Sequence, residues 1–224
     1  VANTTGAENT AYGSGSMYSN TTASNNTAVG RYSLYTNTTG SNNVATGKTA
    51  MRNNTTGANN TATGYQSLYS NTTGSYSTAT GYGALNDNTT GTQNVANGAN
   101  ALKDNTTGNY NTATGTDALS LNITGGNNTA NGHNALYSNT TASNNTAVGN
   151  TTGIRNTVIG SDGMYTNTTG GYNIALGYAA LAVNTTASNN TAVGSLALSA
   201  NTTGSSNTAI GSIALSNNTS GIQN

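Results

Sequence analysis

The chain contains no cysteine, proline, tryptophan or phenylalanine, and only ten of its 224 residues carry a formal charge. Without cysteine, no disulfide can hold the fold together, and cysteine usage gives no indication of the redox compartment. Five cationic and five anionic residues cancel, which argues against nucleic acid as a partner because phosphate binding needs a basic surface. The apolar runs are far too short to cross a bilayer. The first residues, VANTTGAE, show no secretory signal, as expected of a processed chain or of a segment from a longer one.

The abundant residues are asparagine, threonine and glycine, which number 41, 45 and 29 and make up just over half of the chain. Disordered polar chains are usually rich in proline and charge, and this chain has almost none of either. Its bias is also periodic, and periodic bias is typical of repeat architectures.

The repeat becomes clear when the chain is aligned on the asparagine of the segment NTAxG, which we call position 1 of the consensus NTAxGxxALxxNTTGxN. Each copy has the length of this consensus, seventeen residues, except for one shortened copy of eleven residues at 145–155. Neither end shows a divergent capping repeat, although a free-standing solenoid needs one. We therefore interpret residues 1–224 as a single continuous solenoid and as a segment of a longer fibre. The copies begin at Asn9, Asn26, Asn43, Asn60, Ser77, Asn94, Asn111, Asn128, Asn145, Asn156, Asn173, Asn190, Asn207 and Asn224.

A repeat of this length suits one coil of an all-β parallel β-solenoid (a β-roll), with two short strands and two turns in each coil. Position 9 is always leucine or methionine and position 3 is alanine except at Val158, so the two columns form a narrow core. Position 5 is always glycine and predicts a corner with positive φ. Asparagine at position 1 predicts an inward-facing amide ladder. An array of amphipathic helices is disfavoured, because asparagine, threonine and glycine are poor helix formers.

Position 12 is an asparagine in an N-x-[ST] sequon in every copy, which is the acceptor pattern for N-glycosylation. The segment NTTG is also good turn chemistry, but turn chemistry alone does not require Thr or Ser at position 14. We therefore expect an exposed turn that carries a covalent glycan in each coil. Further sequons occur at Asn25, Asn53, Asn59, Asn127, Asn144, Asn189 and Asn217. The expected glycosylation sites are Asn3, Asn20, Asn37, Asn54, Asn71, Asn88, Asn105, Asn122, Asn139, Asn150, Asn167, Asn184, Asn201 and Asn218.

The short copy lacks positions 6 to 11 between Gly149 and Asn150, and with them its alanine–leucine pair. Its sequon is retained. The deletion predicts a local notch, with Leu136 and Met164 closing over the missing leucine.

The ionisable residues show no catalytic pattern. Asp87 and Asp104 share a position in adjacent copies, and Lys103 beside them favours a solvated cluster over a bound cation. His133, the one histidine, has no histidine or cysteine neighbour and is expected to be a surface residue. No nucleophile, base and acid can be assembled, so we expect no enzyme activity, no metal and no cofactor other than covalent glycans. The remaining carboxylates are Glu8, Asp117 and Asp162.

The segments NTAVG, NTAIG and NVATG, each followed by an alanine–leucine pair, resemble the head repeats of YadA-type trimeric autotransporter adhesins. They are also similar to repeats of phage tail fibres and other bacterial surface fibres. The resemblance implies a left-handed parallel β-roll, often trimeric, that serves surface adhesion. The period here is longer than in those heads, and the sequon column resembles glycan-coated extracellular fibrils instead.

These observations favour a structural protein: an extracellular or cell-surface fibril that self-associates end to end and is densely N-glycosylated at the NTT turns. We expect no nucleic-acid partner and no membrane span. The alternative is a binding module, the shaft of an adhesin or tail fibre. A third hypothesis, ice binding, rests on Thr-x-Thr pairs at residues 61/63, 78/80 and 112/114, but Val, Asn and Ile interrupt that array.

Overall fold

The computed structural model of the chain describes residues 3–148, 155–160 and 162–224. Within these residues, thirteen three-residue strands form one parallel sheet in chain order, which confirms the all-β parallel solenoid. No helix in this part of the chain is long and apolar enough to cross a membrane. The strands are β1 Thr10–Tyr12, β2 Thr27–Val29, β3 Val44–Thr46, β4 Thr61–Thr63, β5 Thr78–Thr80, β6 Val95–Asn97, β7 Thr112–Thr114, β8 Thr129–Asn131, β9 Thr146–Val148, β10 Thr157–Ile159, β11 Ile174–Leu176, β12 Thr191–Val193 and β13 Thr208–Ile210.

Each coil contains one strand, at positions 2 to 4, and we give each coil the number of its strand, so that coil 1 begins at Asn9. Every strand pairs in register with the next one, as Ala62 of β4 does with Ala79 of β5. The backbone N–H of Thr61 donates to the carbonyl of Ser77 in the next coil at 2.9 Å. Because the same bonds recur from coil to coil, the sheet is a continuous hydrogen-bonded ladder along the solenoid axis.

The second strand that we expected at the leucine is absent from the described coils, where positions 6 to 11 form turns. Leucine and methionine at position 9 have φ between 47° and 52°, in the left-handed region that no strand uses. This conformation costs on the order of 1 kcal/mol for a residue with a side chain. Complete burial of the leucine side chain, worth about 1.5–3 kcal/mol, offsets that cost.

The core is the narrow column that the sequence predicts, made of alanine at position 3 and leucine or methionine at position 9, with alanine at position 8 where it occurs. The position-5 glycines form the expected corner. Gly64 has φ +134°, and a Cβ at this residue would lie 2.3 Å from the carbonyl oxygen of Gly81 in the next coil. Glycine is therefore required both by the backbone conformation and by the close approach of neighbouring coils.

At the short copy the sheet continues and the core does not. Strand β10 pairs in register with β9 although their coils start only eleven residues apart. The buried side chains divide here into two clusters. Leu136, which we expected to close over the gap with Met164, belongs to a different cluster from Met164. A groove of about 530 Å³ opens between Tyr137 in coil 8 and Tyr165 in coil 10, on either side of the short copy. Residues 149–154, including the sequon Asn150, lie outside the described residues.

Candidate functional site: the two asparagine columns

The position-12 asparagines, our expected glycosylation sites, lie inside the solenoid. The prediction that they lie in an exposed turn is wrong for most of them. Asn3 is exposed and Asn218 half-buried, and Asn150 falls outside the described part of the chain. The buried members, none more than 4% exposed, are Asn20, Asn37, Asn54, Asn71, Asn88, Asn105, Asn122, Asn139, Asn167, Asn184 and Asn201.

These side chains form an amide ladder along the axis. The Nδ2 of Asn54 donates to Oδ1 of Asn37 in the preceding coil at 2.8 Å and to the carbonyl of Gly57 in its own turn at 2.9 Å. Its Oδ1 in turn accepts from Nδ2 of Asn71 at 2.7 Å. The amide–amide distances along the column lie between 2.7 and 3.3 Å. Between Asn20 and Asn122, each Nδ2 therefore uses both of its hydrogens and each Oδ1 has a donor.

This geometry leaves no place for a glycan. N-glycosylation replaces one Nδ2 hydrogen by a sugar, so one of the two bonds would be lost and the sugar would have to occupy the interior. Burial of a polar group without its bonds is costly, and a sugar carries many polar groups. A glycan on one of the buried position-12 asparagines would therefore cost the coil a hydrogen bond and its close packing.

The adjacent threonine has a matching role. At position 13 the hydroxyl of Thr55 donates to the carbonyl of Thr72 one coil on at 2.9 Å, and the same bond recurs along the column at 2.9–3.1 Å. Asparagine and threonine in the NTT segment thus each join one coil to another. These bonds between coils could not be inferred from the NTT segment, because the same residues also fit an exposed turn.

The position-1 asparagines face inward, as the sequence predicts. Oδ1 of Asn43 accepts from the backbone N–H of Asn60 in the next coil at 3.0 Å. Its Nδ2 donates at 2.9 Å to the carbonyl of Gly57, which also accepts from Asn54. Most position-1 amides bond to backbone groups and not to one another. The amide–amide ladder that we expected here is found at position 12.

The two columns behave differently at the short copy. The backbone N–H of Asn156 donates to Oδ1 of Asn145 at 3.1 Å, so the position-1 column continues across it. In the position-12 column, the buried Oδ1 of Asn139 has no hydrogen-bond partner among the residues that the structure describes. The position-1 column is therefore continuous across the short copy, whereas the position-12 ladder has an unpaired oxygen at Asn139.

The ionisable side chains lie on the surface. Nζ of Lys103 is 2.9 Å from Oδ1 of Asp104, and this hydrogen bond, with the carboxylate charge, raises the pKa of the lysine. His133 is exposed, as predicted. In the described ranges, no three or more His, Cys, Asp or Glu residues come together in a group that could hold a metal ion. The asparagine columns themselves are neutral, so their arrangement can stabilise a fold but offers no acid, base or nucleophile.

No family matches. The chain fits no protein-family model, and no curated protein is significantly similar to it. The resemblance to YadA-type head repeats therefore stays a hypothesis based on short motifs.

The outer face of the sheet carries the Thr-x-Thr pairs that suggested ice binding. Both threonines occur together only on β4, β5 and β7, among the strands that the structure describes. Strand β6, with Val95 and Asn97 facing outward, separates β5 from β7. The array is thus interrupted at the surface itself.

Proposed function

We propose that this protein is structural: a linear scaffold that self-associates coil on coil into a fibre. The observation that carries the proposal is the self-complementarity of the coil. The sheet ladder, the asparagine amides and the position-13 threonines of one coil bond to the same groups of the next coil. One side of a coil binds the opposite side of the next coil, and such a head-to-tail contact can add copies without limit by translation along one axis.

The polar columns support this proposal because the core alone is thin. Each coil buries about one leucine and one or two alanines. Burial of so little apolar area gives only a few kcal/mol per coil, against a backbone entropy cost on the order of 1 kcal/mol for each of its residues. Stacking against neighbours, through fully paired backbone and amide groups, must provide the remainder. A coil is therefore stable only in a stack, as in other repeat proteins.

End-to-end association follows from the same bonds. A coil surface that no neighbour covers presents unpaired N–H and C=O groups, which are a template for another chain. Coils repeat at about 4.8 Å, so a fibre of this kind lengthens by about 60 Å for each thirteen coils.

A surface or extracellular location stays an expectation from the resemblance to fibre repeats. The position-12 sequons no longer support it, because their amides are used within the fold. We therefore propose a scaffold without a glycan on the buried column.

Electron microscopy of the purified chain tests the proposal. We expect unbranched fibres whose length grows with protein concentration. A monodisperse particle of constant length at every concentration would refute end-to-end assembly.

A further inference from the structure

The turns of coils 1 to 8 form one surface, which we call the turn face and define as positions 6, 7, 10 and 11. The rings of Tyr32 at position 7 and Tyr35 at position 10 pack edge to face, 5.3 Å apart. The guanidinium of Arg52 at position 10 lies 5.8 Å from the Tyr32 ring centre and 5.6 Å from that of Tyr35. Residues at these positions are therefore neighbours on the outside of the solenoid.

Charge is segregated along this face. Between residues 9 and 86 the chain has three cations, Arg31, Lys48 and Arg52, and no carboxylate. All three lie on the turn face, at position 6 or 10 of coils 2 and 3. Their neighbours are tyrosines: Arg31 lies 4.6 Å from the ring centre of Tyr32, and its hydrogen bond and charge lower the pKa of that phenol. This half of the face is positive and holds no counter-charge.

The other half of the turn face carries the carboxylates. Asp87 and Asp104 occupy position 11 of coils 5 and 6, and Asp117 occupies position 7 of coil 7. Lys103 is the one cation in this half, and it is bonded to Asp104. The net charge is therefore negative.

Two stacked tyrosines lie at the boundary between the halves. Tyr65 and Tyr82 occupy position 6 of coils 4 and 5, and their ring centres are 5.4 Å apart. They are 38% and 58% exposed, which is high for aromatic side chains in contact with each other. Exposed, preordered tyrosines are frequent at the centres of protein interfaces.

We propose that the turn face is a dimer interface, on which a second copy of this chain packs antiparallel about a twofold axis between coils 4 and 5. Such an axis lies in the interface and is perpendicular to the solenoid. It places coil 2 opposite coil 7 of the other copy, coil 3 opposite coil 6 and coil 4 opposite coil 5. Each turn position lies opposite the same position of the other copy.

The twofold arrangement matches opposite charges at both sides of the face. Arg31 at position 6 of coil 2 lies opposite Asp117 at position 7 of coil 7. Arg52 at position 10 of coil 3 lies opposite Lys103 at position 10 of coil 6 and beside Asp104 at position 11, so Lys103 and Arg52 compete for that carboxylate. Each pair occurs twice, because an isologous interface repeats every contact.

The same operation brings the aromatic rings together. Tyr65 of one copy meets Tyr82 of the other, so four rings cluster at the axis. Burial of these rings supplies most of the affinity, since surface ion pairs contribute only about 0–1 kcal/mol each. The charges select the antiparallel orientation, because a parallel pairing in register would place like charges opposite each other.

Sedimentation equilibrium at low and high salt tests the interface. We expect a dimer whose affinity falls as salt rises. Arg31→Asp and Asp117→Arg should each weaken it about tenfold or more, since each disrupts two pairs, and the double variant should restore it. The control is Arg155→Asp, an exposed charge off the turn face, which should leave the affinity unchanged. Lys103→Met should strengthen the dimer several-fold, because it removes the cation that competes for Asp104.

Spin-label distances test the orientation, and the absence of native cysteine allows single labels. A label at Ser70→Cys, in coil 4, should lie about one coil from its symmetry mate along the axis, and a label at Ser19→Cys, in coil 1, about seven coils or roughly 34 Å away. Equal distances at both sites would indicate parallel pairing and overturn the proposal. A monomer at low salt, or association that the Arg31 and Asp117 variants do not change, would also overturn it. End-to-end stacking is distinguished by separations on the order of 60 Å at both sites.

Discussion

Substitution of Asn71 by alanine removes one rung of the buried amide ladder. Asn71 donates to Oδ1 of Asn54 at 2.7 Å and to the carbonyl of Gly74 at 2.9 Å, and it accepts from Nδ2 of Asn88 at 2.9 Å. All three asparagines are fully buried. Alanine leaves the Asn54 oxygen and one Asn88 hydrogen without partners.

The expected loss follows from those two groups. The carbonyl of Gly74 keeps a donor, because Nδ2 of Asn60 is 2.8 Å away. Each of the other two groups is left buried and unpaired at a cost of about 1–3 kcal/mol, so the variant should lose about 2–6 kcal/mol of unfolding free energy. The matched control is Thr73→Ala, at an exposed position of the same turn, which should change stability by less than about 0.5 kcal/mol.

Asn71→Asp makes the test more specific. A carboxylate at this site would face the Asn54 and Gly74 oxygens with only the Asn88 donor, so burial should raise its pKa above the unfolded value of about 4. The aspartate variant should therefore be most stable below about pH 4 and should lose stability as pH rises through the folded-state pKa. The effect of alanine should not depend on pH in this range. Urea denaturation of both variants at acidic and at neutral pH measures these changes in unfolding free energy. Hydrogen exchange of coils 4 and 5 reports the local loss of stability. A loss below about 1 kcal/mol for Asn71→Ala, with unchanged exchange, would refute the ladder.

Three further outcomes are expected. Folded protein from a glycosylating secretory host should carry no glycan at Asn37 or Asn105, and a modified peptide from folded material would contradict the burial of this column. Gly64→Ala should destabilise by several kcal/mol, and Gly211→Ala by only about 1–2 kcal/mol, because both have positive φ but a Cβ at Gly211 meets nothing within 4 Å. Equal thermal shifts in the two variants would show that the approach of neighbouring coils has no effect. Leu68→Ala should cost about 2–5 kcal/mol by denaturation, because this side chain is fully buried, and a neutral effect would argue against the core column.

The period and the core could be predicted from sequence because they depend on spacing and on which side chains avoid water. Gly64 and Leu68 each stand for a column in which one residue type recurs, and one type recurs where the environment is the same in each coil. The backbone at Leu68 could not be predicted, since leucine rarely adopts the φ of 49° that it has here. Its burial outweighs its local preference, and a local rule cannot anticipate that.

The candidate site shows a different limit of sequence reasoning. Burial of Asn54 depends on its partners one full repeat away on either side, Asn37 and Asn71, and the segment NTTG contains no sign of them. The separation of the cations near Arg31 from the carboxylates near Asp117 was visible in the sequence. Its meaning was not, because only the folded coil shows that both residues lie on one face.

Packing accounts for two residues of the NTT segment without reference to glycosylation. Asn71 at position 12 suits this site because an amide has two donor hydrogens and an acceptor oxygen, so it can bond to both neighbouring coils and to its own turn at once. Thr72 at position 13 adds a second bond between coils, because its hydroxyl donates to the carbonyl of Thr89. Of the N-x-[ST] pattern, only the exposed Thr or Ser at position 14 lacks a bond that explains it. Packing thus explains the Asn that begins each sequon, while position 13 is the unrestricted residue of the pattern and the Thr or Ser at position 14 has no role in the ladder.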